Sequence, residues 1–293
     1  MTASSPDALF RHNQDDVEWL AISRDSKYAH YARIPGRICR CLEYFNISSD
    51  RSSVQERLDS YYLFIGVVDD EIDSVGLEAG SEVLKQLENG AAIFGEQTKQ
   101  SPAKVVTEAL RRHISLEMFP VVLSKLRELY QAVVRERKSR TMRIYVEQRI
   151  AIGRLTAEVS YLLIRPFLKS DHEDLRRFLQ RVGAVGCLID SVIDLREDDR
   201  LGLLAFRPRL SGYLYLMSRV LPDGFKVLLR HPRLLGLFLE AIRDNLFANA
   251  PAQKILDTQL NGGWWRRESL PGCPPASARD GNPARRNNSF PLS

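Results

Sequence analysis

The chain predicts an all-α fold, and three observations carry the expectation. From about Ser52 to Ala250 almost every segment repeats apolar residues at three-to-four spacing, alternating β-branched runs are few, and turn dipeptides are scarce. With 44% hydrophobic and 27% charged residues among 293, the chain can bury a sizeable core and keep a polar surface. One main domain over residues 21–261 is expected, preceded by a flexible segment over 1–20.

Taken in order, Ser52, Ser53 and Glu56 resemble a capped helix start, and that helix should run through Tyr61, Phe64 and Val68 to about Val75, where Gly76 ends it. Further helices are predicted near residues 81–95, 102–113, 117–137, 140–168, 172–198, 210–220 and 232–247. Their breaks fall at Pro102, Pro120, Pro166, Pro208, Pro222 and Pro232. After Gly262 the chain is rich in Gly, Pro, Ser, Asn and Arg, which predicts a disordered basic tail over 262–293.

Composition excludes several classes. No run approaches the roughly 18–20 apolar residues of a membrane span, and the polar, acidic start does not read as a secretory signal, so a cytoplasmic protein is expected. Net charge is +5, of which Arg266, Arg267, Arg279, Arg285 and Arg286 against Glu268 and Asp280 account for +3 in the tail. The remaining body is only mildly basic and gives no case for nucleic acid. Cys39, Cys41, Cys187 and Cys273 have neither zinc-site spacing nor disulfide-scaffold density, and His30, His113, His172 and His231 show no ligand spacing. Trp264 and Trp265, followed by Arg266 and Arg267, suit either peripheral membrane contact or a hydrophobic end cap. Nothing in the sequence sets an oligomeric state.

Two acidic clusters carry the chemistry. Asp69, Asp70 and Asp73 in VVDDEIDSV close an otherwise apolar helix, and the four-residue step puts Asp69 and Asp73 on one face. In LIDSVIDLREDD, Asp190, Asp194 and Asp198 share a face at successive four-residue steps, with Glu197 and Asp199 beside them. A solvated acidic helix end explains either cluster alone. Two clusters on two core helices argue instead for compensation by a hard divalent cation with oxygen ligands. Carboxylates without His or Cys suit Mg²⁺, which leaves coordination positions for phosphate oxygens, and so suggest a diphosphate held between the clusters.

Tyr62, Phe64, Val68, Asp69, Asp70 and Asp73 resemble the Y-x-F-x-x-x-V-D-D-x-x-D frame of the squalene and phytoene synthase family. Asp194, Glu197 and Asp198 are similar to that family's D-x-x-E-D, with Asp190 where it usually has asparagine. Ser23, Ser26, Tyr28, Ala29 and Pro35 resemble its serine-rich N-terminal motif. The resemblance covers residues 20 to 250 and is specific at the two aspartate motifs.

It implies the class I isoprenoid synthase fold, a helical bundle around a central cavity, and a Mg²⁺-dependent prenyltransferase acting on an allylic prenyl diphosphate such as farnesyl or geranylgeranyl diphosphate. Asp69, Asp73, Asp190, Asp194 and Asp198 would face the metal, three Mg²⁺ in all with the substrate diphosphate, while Asp70 and Glu197 would stand behind or join them. Ser26 would meet the diphosphate, and Tyr62 and Phe64 the prenyl chain; Lys27, Arg149 and Arg154 are this chain's own candidate cations for the diphosphate, read from their places in the sequence and not from the family.

The chain departs from the family at Gly66 and Ile193, where the family has arginines that contact diphosphate, and at Ala151 and Arg154, where it has tyrosines. The Asp190, Asp194, Asp198 spacing also matches the N-x-x-x-S-x-x-x-E triad of class I terpene cyclases in position. A one-substrate cyclase and a non-catalytic prenyl-diphosphate-binding or partner subunit are therefore the alternatives.

Overall fold

The structure, a computed structural model, describes residues 17–90, 101–237, 239–240 and 243. All of these belong to one compact unit, Met1–Ala250. Nine helices follow among them: α1 (17–24), α2 (Ala29–Tyr44), α3 (Arg51–Ser74), α4 (Leu77–Asn89), α5 (Pro102–His113), α6 (Phe119–Arg137), α7 (Met142–Ile164), α8 (Glu173–Arg200) and α9 (Leu210–Arg230). No strand occurs among the described residues, and Ser49 and Leu168 form one isolated bridge. The all-α expectation holds. No described helix is long and apolar enough to cross a membrane. Residues 1–16 and the predicted tail over 262–293, with Trp264 and Trp265, lie outside the described residues.

Helix α3 runs through the core. Val54, Leu58, Tyr61, Tyr62, Leu63, Phe64 and Val67 are all buried on it, and it packs against α2, α4, α5 and α7. Its polar end begins only at Asp69, so the acidic residues emerge where the buried stretch stops. Its start is capped by Asp50, whose side chain accepts hydrogen bonds from the Ser53 amide (3.4 Å) and the Ser53 hydroxyl (2.7 Å). The predicted Ser52, Ser53, Glu56 start is thus off by two or three residues, because Asp50, two positions before Ser52, takes the capping role. Val75 closes the helix, and Gly76 turns away with φ of 122°, a conformation that favours glycine.

The most extensive helix–helix contact is between α7 and α8. At its centre Gly153 and Gly183 bring the two backbones together; a Cβ on Gly153 would lie 2.5 Å from the Gly183 carbonyl carbon. A second hydrophobic cluster of Tyr145, Val146, Leu188, Leu195, Leu216 and Val220 ties α7 and α8 to α9.

The helix predicted to stop at Pro222 instead continues to Arg230. An internal proline costs about 3 kcal/mol, but Leu216 and Val220 before it and Val227 after it are buried, and their packing carries the helix across the lost hydrogen bond. Helices α1 and α2 were not expected at all. The segment predicted as flexible to residue 20 is helical from residue 17, and α2 passes through Pro35.

Candidate acidic site

The C-terminal end of α3 carries Asp69, Asp70 and Asp73, and α8 carries Asp190, Asp194 and Asp198. Glu197 is also on α8, and its side chain is not among the described ones. Each of these three α3 aspartates has a partner from another helix or turn. The Tyr31 hydroxyl of α2 donates to Asp69 (2.7 Å). Lys27 pairs with Asp70, which also accepts from the Tyr28 hydroxyl (3.4 Å). Arg137, the last residue of α6, pairs with Asp73.

The two acidic sets share one electrostatic environment. Burial pushes the Asp73 carboxyl up to about 6, with Asp69 and, from the other helix, Asp198 adding to the rise against the opposing pull of Arg137. Asp194 is likewise pushed up to about 6 by burial, then by Asp190 and Asp198, and by Asp69 across the gap, with Arg149 opposing. Asp190 is raised by burial too, and His30, Arg149 and Arg37 pull it back. Glu136, buried on α6, is raised by burial and by Asp198 and Asp69, with Arg149 and Arg137 opposing. Carboxylates on α3, α6 and α8 therefore converge on one region.

Arg149 is the buried cation of this region. Its Nε donates to Ser191 Oγ (2.8 Å) and its Nη2 to the Cys187 carbonyl (3.2 Å), so α7 presents the guanidinium directly to α8. Burial opposes its charge, and the carboxylates of Glu136 and Asp190 offset that cost. The Tyr145 hydroxyl donates to the same Ser191 Oγ (3.3 Å). Arg149→Leu is expected to remove a cation that acts on both Glu136 and Asp190, leaving Arg137 beside the first and His30 and Arg37 beside the second, and to cost about 3 kcal/mol, the lower end for removing one partner of a buried charge pair. Urea denaturation at pH 8 measures the loss, and it should shrink as pH falls and these two acids, both raised by burial, take up protons.

The other predicted residues divide. Tyr62 is buried on α3, its hydroxyl 3.0 Å from Ser160 Oγ of α7, and burial pushes that hydroxyl up to about 12. Phe64 is 1% exposed within the main core. Ser26 is exposed in the turn that carries Lys27. Arg154 is exposed on α7. It stands five residues from Arg149, about 140° round the helix, so the face that delivers Arg149 to α8 turns Arg154 away.

Four residues at the site carried no sequence signal: His30 and Tyr31 on the unexpected helix α2, and Glu136 and Arg137 at the end of α6. Tyr31 also accounts for one departure from the resembled family. Its ring packs on Gly66, where a Cβ would lie 2.7 Å from Tyr31 Cδ2, so an arginine at 66 has no room while Tyr31 reaches Asp69. The space and the hydrogen bond are taken by the same side chain.

Among the described residues no three His, Cys, Asp or Glu side chains are disposed to hold a metal ion as they stand. The donor set nonetheless fits Mg²⁺ in chemistry: the ligands are hard oxygens, and burial with mutual repulsion holds Asp73 and Asp194 at raised pKa, a strain a divalent cation relieves. In this arrangement Lys27, Tyr31 and Arg137 engage the α3 carboxylates, so binding would exchange internal partners for the metal. No protein-family model matches the chain, and no curated protein or solved structure matches it.

Proposed function

We propose that this chain is a Mg²⁺-dependent class I isoprenoid synthase that ionises an allylic prenyl diphosphate, with prenyl transfer of the squalene and phytoene synthase type as its reaction. The observation that carries the reading is that Asp69 of α3 raises the proton affinity of Asp194 on α8, and Asp198 of α8 raises that of Asp73 on α3, each across 125 residues of chain. Asp69, Asp73, Asp190, Asp194 and Asp198 would hold the cation. Bound Mg²⁺ would neutralise the departing diphosphate and so favour cleavage of the allylic C–O bond.

The remaining residues supply orientation and shelter. Lys27, Arg137 and Arg149 surround the acidic region with fixed positive charge, suited to a diphosphate end. Tyr62, Tyr61 and Phe64 are buried on α3, an aromatic, water-poor setting in which an allylic cation survives long enough to react. A protein at this work is expected in the cytoplasm, in contact with a membrane surface where prenyl chains partition.

A second reading, cyclisation of a single prenyl diphosphate, is favoured by the packing of Tyr31 on Gly66, which removes one cation that a second diphosphate would use. Incubation with farnesyl or geranylgeranyl diphosphate and Mg²⁺, followed by mass spectrometry of the extract, separates them. Doubled carbon number means condensation, and unchanged carbon number means cyclisation. Ligand binding with no release of pyrophosphate from any chain length would sink both and leave a binding subunit.

A further inference from the structure

Helix α9 carries more apolar surface than its packing uses. On its inner side Leu216 and Val220 join the cluster that ties it to α7 and α8, and Val227 is buried as well. Yet Leu210, Leu214, Leu221 and Phe225 remain 48 to 76% exposed. With about 100° of turn per residue these four fall within about 60° of arc, so they form one stripe along the helix. Single exposed apolar residues are ordinary, whereas a continuous strip marks an interaction surface.

The other edge of the same exposed arc is basic. Arg219, Lys226 and Arg230 are all exposed and fall within about 40° of one another. Between the two stripes stand Ser218, Pro222 and Leu229, none of them charged. From Arg209 to Arg233 five cations face one carboxylate, Asp223, which pairs with Lys226 at 3.5 Å. Arg219 and Arg230 pair with no acid among the described residues. A surface laid flat on α9 therefore meets apolar side chains along one edge and long cationic side chains along the other, the division seen in helices that lie in a bilayer interface. The C-terminal segment over 262–293 carries a charge of +3, and a second copy brings the same positive charge, so neither complements the basic edge. The outer face of a single helix is convex and offers a peptide helix no groove.

We propose that the outer face of α9 docks on an anionic lipid bilayer, with Leu210, Leu214, Leu221 and Phe225 entering the boundary between headgroups and acyl chains while Arg219, Lys226 and Arg230 reach lipid phosphates. The helix lies along the surface, since no described helix is long and apolar enough to cross it. The face needs neither metal nor prenyl substrate, so vesicle binding and the isoprenoid reading succeed or fail separately.

Sedimentation of the full chain with phosphatidylcholine vesicles, with and without phosphatidylglycerol, is expected to show binding that needs the anionic lipid and weakens with salt. Leu214→Glu combined with Phe225→Glu should weaken it at least about tenfold, because two apolar side chains no longer enter the bilayer. Both positions are exposed, so the fold is spared. Arg219→Ala combined with Arg230→Ala should lower affinity for the anionic vesicles about tenfold or more. Asp223→Asn removes the one carboxylate and should tighten binding, a gain that misfolding does not produce. Phe225→Trp should gain fluorescence quenching by brominated lipid chains over the wild-type chain. Absence of binding to anionic vesicles, affinity indifferent to both double variants, or a Phe225→Trp chain quenched no more than wild type overturns the proposal. A dimer in sedimentation velocity that Leu214→Glu with Phe225→Glu dissociates, without vesicle binding, overturns it in favour of a second copy.

Discussion

Asp194→Asn is expected to abolish prenyl diphosphate ionisation while making the metal-free protein more stable, two effects of opposite sign from one side chain. Activity should fall by about three orders of magnitude, equivalent to about 4 kcal/mol of barrier, because a ligand that neutralises the leaving group contributes on that scale. Stability follows from linkage. The Asp194 carboxyl titrates near 6 in the folded chain against 3.8 for an unburied aspartate, so the folded state disfavours its charged form. A group raised in this way contributes its stability below the unfolded pKa and loses it as pH rises through the folded pKa. At pH 8 the wild-type chain therefore carries the full penalty, about 2 kcal/mol after discounting for partial exposure. Asparagine carries none of it, and its melting temperature at pH 8 should lie about 5 °C above wild type. The gap should narrow as pH falls below 6 and close only below about 3.8, the ordinary value of an unburied aspartate. Addition of Mg²⁺ with inorganic pyrophosphate should raise the wild-type melting temperature and leave the variant nearly unmoved. A variant less stable than wild type at pH 8 would mean that Asp194 is a satisfied structural acid, and the catalytic reading of α8 would fall with it.

The helices from α3 to α8 were legible because each buries a stripe or a whole circumference of apolar residues long enough to show a 3.6-residue period. α3 was predicted to end at Val75 before Gly76, and it ends at Ser74 with Val75 as its cap. α2 escaped notice because its sequence, AHYARIPGRICRCLEY, interleaves Arg33, Arg37 and Arg40 with Pro35 and Gly36. Its buried face of Ile38, Cys39, Cys41 and Leu42 is short and late. Local propensity argued against a helix there, and tertiary packing against α3 decided for one.

The acidic half of the site was equally plain, since a four-residue step of aspartates shows directly in sequence. Its basic and hydroxylic half was not. Tyr31 reaches Asp69 across 38 residues and Arg137 reaches Asp73 across 64, and neither belongs to a local pattern. Arg149 and Arg154 looked alike in sequence, and only the direction in which α7 faces α8 distinguishes the buried one from the exposed one.

That facing depends on a single close approach, and Gly153→Ala tests it. A Cβ at 153 would stand 2.5 Å from the Gly183 carbonyl carbon and 2.8 Å from the Ala184 amide nitrogen. Both are backbone atoms, so no side-chain rotation relieves the overlap and the two helices must separate. Overpacking of this kind costs about 3 kcal/mol or more, read as a lower urea midpoint. Separation is not free to occur evenly: at the far end of the interface Glu158 of α7 accepts from Arg176 (2.8 Å) and Gln180 (2.7 Å) of α8, which holds the helices together there. The opening is therefore directed toward Arg149, whose hydrogen bonds to Ser191 and the Cys187 carbonyl would stretch, so pyrophosphate release should fall even in the fraction that remains folded. Gly186→Ala on the facing helix α8 is the control, because nothing lies within 4 Å of its Cβ position. With no neighbour to displace, it should gain about 0.5–1 kcal/mol from the better helix former. Equal loss at both positions would show that α7 and α8 need glycine for their backbones alone; loss at 153 and gain at 186 would show that the α7–α8 approach sets the distance between Arg149 and the acids beside it.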